Sequence, residues 1–250
     1  AAAARGRARR PAPVDIHSHT SSPSGSAHPT LLHPCPWLQH IDEKTMRLHH
    51  LKHHQAYTDK LNGALARLRA NPETKALAKR GIDWLLEHVQ ELPEAERGPV
   101  RNAGGGYVNH DLWWQCLSPR GGEAVEPREG SPMHGALTAA FGSVNDFKTK
   151  LNLASLELFG SGWAWLVASS TTGDLQVEAT ANQDSPLMSG QVPLFGIDLW
   201  EHAYYLKHGP SRKDYLNDFW KVLNWPFVER RYTDLIDRIS PSGAAGKAEL

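Results

Sequence analysis

Gly162-Trp163-Ala164-Trp165-Leu166-Val167-Ala168 is the stretch at which the chain changes period. Its aromatic and aliphatic residues carry no helical spacing, so it reads as a strand. Leu175-Gln176-Val177-Glu178-Ala179-Thr180 and residues Val192 to Ile197 read as two more, separated by the turn Thr172-Gly173-Asp174 and the loop Asn182 to Gly190. Helical patterns flank them: Met133 to Phe141 and Val144 to Leu158 before, and Trp200 to about Ile239 after. Three short strands among helices predict an α+β fold whose small sheet is antiparallel.

Upstream the pattern is helical throughout. Met46, His49, His53 and Tyr57 recur at helical spacing and run on into Leu61, Leu65 and Leu68, a long amphipathic helix that Asn71-Pro72 ends. A shorter helix, Asp83 to Gln90, leads through the Pro/Glu-rich Glu91 to Pro99 and the glycines Gly104-Gly105-Gly106 into a second long helix with His110, Trp113 and Trp114. Facing each other, the two long helices make an N-terminal hairpin that brings His49 and His110 together. The expected division is 1–38, 39–125 for the hairpin, 126–240 for the α/β domain and 241–250 as a frayed tail.

The first 38 residues are rich in Ala, Arg and Ser with a single acidic residue, Asp15, a composition like that of an organellar transit peptide. That points to an organelle, the mitochondrial matrix ahead of the chloroplast. The absence of an initiating Met reads as a fragment.

Lys plus Arg and Asp plus Glu balance at 27 each, so no global field draws nucleic acid or an anionic membrane. No apolar run approaches the ~18 residues of a membrane span. The two cysteines, Cys35 and Cys116, are too few for a disulfide framework and lack the paired spacing of a zinc site. They read as ordinary thiols.

The chemistry concentrates elsewhere. Asp198-Leu199-Trp200-Glu201-His202-Ala203-Tyr204-Tyr205 sets a carboxylate and an imidazole four residues apart among aromatics. His49-His50-Leu51-Lys52-His53-His54 holds four histidines in six residues, in two stripes of which one can face a site. His110 follows a glycine run that permits close backbone approach. Three imidazoles and one carboxylate suit a redox metal, manganese or iron alike.

These residues carry a family resemblance. Met46 to Tyr57, Gly104 to His110, Gly160-Ser161-Gly162-Trp163-Ala164-Trp165-Leu166, Asn182-Gln183-Asp184 and Asp198 to Tyr205 resemble, in order, the iron/manganese superoxide dismutases. The resemblance implies an N-terminal helical hairpin and a C-terminal α/β domain with a three-stranded antiparallel sheet. It implies that His49, His110, Asp198 and His202 bind one metal ion, with solvent in a fifth position. It further implies dismutation of superoxide by cycling between M(III) and M(II).

By the same resemblance, Tyr57, Gln183 and His53 serve catalysis, and Trp114, Trp163 and Trp200 form a hydrophobic cage. Glu201, Tyr205 and Arg212 match the entrance funnel and dimer contact, which implies a homodimer or homotetramer. Gly106, four residues before His110, together with Gln183 resembles the manganese type; an iron-type chain resembles the reverse, with Gln at the Gly106 position. The chain departs from the family at His33-Pro34-Cys35-Pro36-Trp37, where a Pro-Leu-Pro-Tyr strap is usual, at Tyr107, where His is frequent, and at Asp111, where Ser or Thr is usual.

Two other readings compete. One is a catalytically silent structural subunit of an organellar complex with the same fold, which is expected to lack ligands that this chain keeps. The other is a non-haem iron oxygenase, whose two-histidine, one-carboxylate site leaves positions open that a third imidazole fills.

Overall fold

The computed structural model describes residues 39–118 and 126–240. The expectations for the leader-like segment 1–38 and for the tail 241–250 lie outside these residues.

The first long helix is a composite rod. Asp42 caps it by accepting from Thr45 N–H at 3.0 Å, and α1 (Glu43–Leu48) passes into a six-residue π segment, His49–His54, then α2 (Gln55–Ala70). In the π segment Gln55 N–H donates to His50 C=O, five residues back. Such wider turns inside α-helices occur often at functional sites. Here the expectation of a regular 3.6-residue period gives way, because the widened turn brings both histidine stripes inward.

After α3 (Ile82–Glu87), the second rod repeats the device: α4 (Glu94–Pro99), a π segment Val100–Gly104, then α5 (Gly105–Gln115). Leu61, Leu65 and Leu68 of α2 pack with Leu85, Leu86, Val100, Ala103 and Tyr107 into the core of the hairpin. The Arg67 guanidinium donates to both Glu96 carboxylate oxygens at 2.7 and 2.8 Å, tying α2 to α4.

The second half contains α6 (Pro132–Phe141), α7 (Val144–Glu157) and strands β1 (Gly162–Ser169), β2 (Leu175–Ala181) and β3 (Gln191–Asp198). The sheet is three-stranded and antiparallel in the order β2-β1-β3, as expected. The central β1 is buried along seven of its eight residues, which is why its sequence shows no polar alternation. A register shift between Leu166 and Val167 bends β1 against β3.

The stretch from Trp200 onward is broken rather than continuous. A 3₁₀ turn Glu201–Ala203 precedes α8 (Tyr205–His208), α9 (Arg212–Phe219) and α10 (Trp225–Ile239). Trp225, Val228, Tyr232 and Leu235 form the buried stripe of α10 at helical spacing. Phe147, Trp165, Phe195, Phe219 and Trp225 fill the core, where truncating any one to Ala costs about 3–5 kcal/mol. Leu112 and Trp113 of α5, with Cys116 at its C-cap, belong to this second core, so α5 bridges the halves. No helix among the described residues is long and apolar enough to cross a membrane.

Candidate metal centre

Four side chains converge at the seam between the two cores. Asp198 stands at the end of β3, His49 opens the first π segment, His110 lies within α5 and His202 in the 3₁₀ turn. Their ligand atoms all lie within 4.8 Å of one another. Asp198 Oδ2 is the focus: Nε2 of His49 is 3.1 Å away, Nε2 of His202 3.2 Å and Nε2 of His110 3.6 Å. Asp198 and His202 do not share a helical turn, contrary to their spacing; the chain leaves β3, bends at Leu199-Trp200 and returns His202 in the 3₁₀ turn.

The backbone aims each group. Asp198 Oδ1 accepts Trp200 N–H at 2.9 Å, which turns Oδ2 toward the histidines. Asp198 thus caps the following turn with one oxygen only. His110 Nδ1 stands 2.6 Å from Gly106 C=O, which assigns the ring proton to Nδ1 and leaves Nε2 as a lone pair.

Electrostatics matches a cation. Burial lowers the His49 imidazole to about 4 and pushes that of His110 well below its ordinary range. Burial opposes ionisation of Asp198, yet His202 and His49 outweigh it and hold the carboxyl well below the usual range. Neutral imidazoles around an ionised carboxylate are the protonation states that metal ligation demands. The Nε2 atoms of His49 and His110 are wholly buried, face that carboxylate oxygen and make no hydrogen bond. Buried nitrogens without partners are costly, and a cation among them would satisfy both.

Around this set lies an aromatic shell. The His49 ring contacts Trp113 and Trp114 at 4.7 and 5.1 Å between centroids, and Trp163 meets His110 edge-on at 5.2 Å. Trp200 stacks on His202 at 5.6 Å, and His53 also stacks on His202, at 4.1 Å. Tyr57 packs on His110 at 5.2 Å, and its Oη accepts from Gln183 Nε2 at 3.0 Å. Gln183 Oε1 in turn accepts from Trp163 Nε1 at 3.1 Å. Burial raises the Tyr57 phenol and lowers His53.

Glu201 and Tyr205 are exposed, beside the centre rather than in it. Arg212 has a structural occupation: its guanidinium donates to the carbonyls of Ser155, Leu158, Gly160 and Leu199 at 2.7–3.3 Å. That cluster joins the end of α7 to the turn after β3 and gives Arg212 its place in the fold.

Several contributors were not assigned from sequence. His54 lies against His110 at 5.7 Å and accepts Trp114 Nε1–H at 3.0 Å, so the second histidine stripe also borders the site. Asn109 donates to Gln183 C=O at 3.2 Å across 74 positions of chain, a pairing with no local signal. Trp113, read from sequence only as a residue of the second long helix, has the ring nearer to His49 of the two tryptophans.

Comparison with known proteins matches both halves. Residues 36–118 match the alpha-hairpin domain of the iron/manganese superoxide dismutases, and residues 129–231 their C-terminal domain. A relative named superoxide dismutase [Mn] from Listeria innocua serovar 6a is 45% identical over 77% of this chain and 89% of its own length. Superoxide dismutase [Mn] 1 of Leptolyngbya boryana is 43% identical over 85% of this chain and 84% of its own length. A relative named superoxide dismutase [Mn/Fe], from Methylomonas sp. (strain J), is 45% identical over 79% of this chain and 92% of its own length. With both domains matched in order around one three-histidine, one-aspartate cluster, the chain belongs to the iron/manganese superoxide dismutase family.

Proposed function

We propose that this chain is a superoxide dismutase whose His49, His110, Asp198 and His202 hold one manganese ion. The observation that carries the reading is the convergence of three imidazole nitrogens on Asp198 Oδ2 inside a buried aromatic shell. When bound, the manganese supplies one-electron chemistry between its trivalent and divalent states, so that two superoxide anions and two protons become O2 and hydrogen peroxide. A single carboxylate among neutral imidazoles leaves the loaded site cationic, which draws in a small anion even though the chain as a whole is neutral.

The protein's own groups handle protons. Tyr57 Oη accepts from Gln183 Nε2, and the buried phenol keeps its proton until a reacting oxygen needs it. Trp163 fixes the other end of the carboxamide, so Gln183 has one orientation in which both its donor and its acceptor are used. His53, stacked on His202 and half-buried, stands at the mouth.

Manganese rather than iron is favoured by Gly106. A Cβ there would lie 2.4 Å from the Tyr57 ring, so a glutamine cannot enter from that position while Tyr57 holds its place, and Gln183 is the amide donor instead. Iron remains the second metal that the ligand set accepts.

The chain works as a homodimer or homotetramer in this reading. Phe159 is fully exposed and Tyr205 and Leu206 about half exposed, beside Glu201. Arg212 links Gly160 C=O, next in sequence to Phe159, with Leu199 C=O, just before the segment that carries Glu201, Tyr205 and Leu206. An organellar address in residues 1–38, mitochondrial before chloroplast, belongs to the same proposal; fusing the segment to a fluorescent protein tests it.

Metal analysis of the purified protein combined with an assay for superoxide removal tests the function. Manganese near one ion per subunit with rapid superoxide removal is expected. A silent structural subunit would show neither, and an oxygenase would show iron without dismutation.

A further inference from the structure

Gln183 is useful only if its carboxamide reaches Tyr57 Oη and Trp163 Nε1 together, and its backbone sits in a loop after β2 rather than in a strand. The loop carbonyls are held from the C-terminal side and from α5. Trp200 Nε1 donates to Asn182 C=O at 2.9 Å, Asn109 Nδ2 to Gln183 C=O at 3.2 Å, and Thr180 Oγ1 to Asp184 C=O at 2.7 Å. One charged contact reaches this loop from the rod that also carries Asn109. Arg101, in the π segment just before the glycines of α5, donates Nε and Nη2 to the two oxygens of Asp184 at 2.6 and 2.5 Å.

We propose that the Arg101–Asp184 pair is a latch between the two halves that positions Gln183, and that Arg101 and Asp184 are positioning residues for the reaction. The proposal rests on the role given above to Gln183. A bidentate guanidinium–carboxylate pair fixes direction as well as distance. It grips the residue next to Gln183 from the segment that also leads to Gly105, whose absent Cβ would stand 2.0 Å from Gln183 C=O. Loop and rod therefore meet at van der Waals limit, and the latch sets their register. Half of Arg101 is in solvent, so the pair contributes little to stability. Its effect on the site is separable from its effect on folding.

The test compares Arg101→Met, Asp184→Asn, Arg101→Lys and Gln183→Asn with the parent, all as full chains loaded with manganese. Metal content, the reduction potential of the bound manganese, kcat, KM and the thermal midpoint are measured. Arg101→Met and Asp184→Asn are expected to keep their metal and a near-parental midpoint. They shift the potential in the same sense as Gln183→Asn and lower kcat by about 10-fold, the range for groups that orient a metal's surroundings. Arg101→Lys recovers part of both. Parental potential and kcat in Arg101→Met and Asp184→Asn, with Gln183→Asn altered, would overturn the latch and leave a plain surface ion pair. A silent Gln183→Asn beside an altered Arg101→Met would instead remove the role of Gln183 itself.

Discussion

Trp163 and Asp198 are register partners across β1 and β3, and the same Trp163 donates its indole N–H to Gln183. Strand pairing thus sets the carboxylate that gathers the histidines and the glutamine that serves them in one step. A one-residue slip of β3 against β1 would turn Asp198 to the opposite face of the sheet from Trp163.

Trp163→Phe keeps most of the ring and removes the donor. Gln183 Oε1 then loses a buried partner, a cost of about 1–3 kcal/mol, and the carboxamide is free to rotate away from Tyr57. Metal retention is expected to stay intact while turnover falls. Gln183→Leu should behave alike, with a shifted reduction potential. Parental turnover in both variants would show that the Tyr57–Gln183–Trp163 chain carries no protons.

His202→Ala removes one of three nitrogens facing Asp198 Oδ2 and opens the least buried side of the cluster. Elemental analysis should find the metal largely lost, with superoxide removal at background and a lower thermal midpoint, because a bound ion stabilises only the folded chain. Full occupancy in this variant would refute the ligand set.

Much of this centre was legible because its residues fall in short motifs. His49 with His53 and Tyr57, Gly106 with His110, and Asp198 with His202 each sit within nine residues, and the burial of β1 follows from its unbroken apolar run. What escaped depends on geometry that spacing does not encode. The two π segments alter which histidines line up, so His54 joins the site although regular periodicity turned it aside. Asn109, Arg101 and Asp184 act across 74 or more positions, where no local pattern betrays a partner. The four carbonyl partners of Arg212 were not legible either, because they are backbone groups, which sequence does not distinguish.

Acid should destabilise the metal-free chain before its carboxylates matter. Burial holds His49 at about 4 and His110 well below 6.5, so below pH 6.5 the unfolded chain binds protons that the fold refuses. Stability therefore falls as pH drops from 6.5 toward 4, by about 1.4 kcal/mol per pH unit for each histidine once fully in that window. Asp198, held low in the fold, adds its loss only below its ordinary 3.8. Asp83, raised by burial, works in the opposite sense at that acid end. Urea unfolding at a series of pH values measures the slope, and a flat profile between pH 6.5 and 4 would contradict the burial of two neutral imidazoles.

Gly105 and Gly106 are adjacent yet should fail differently. A Cβ at Gly106 would meet the Tyr57 ring at 2.4 Å, a side chain that can swing, whereas one at Gly105 would meet Gln183 C=O at 2.0 Å, backbone that cannot move without the loop. Gly106→Ala is expected to cost about 1–3 kcal/mol, as overpacking does, and to slow turnover by pushing the phenol off Gln183 while metal is retained. Gly105→Ala should be the more destabilising of the two, because it displaces the carbonyl that Asn109 holds and loosens the Arg101–Asp184 contact with it. Thermal midpoints and kcat for both variants give the ranking. Equal effects, or parental turnover in Gly106→Ala, would mean that close approach of α5 to Tyr57 and Gln183 is not what sets the geometry of the centre.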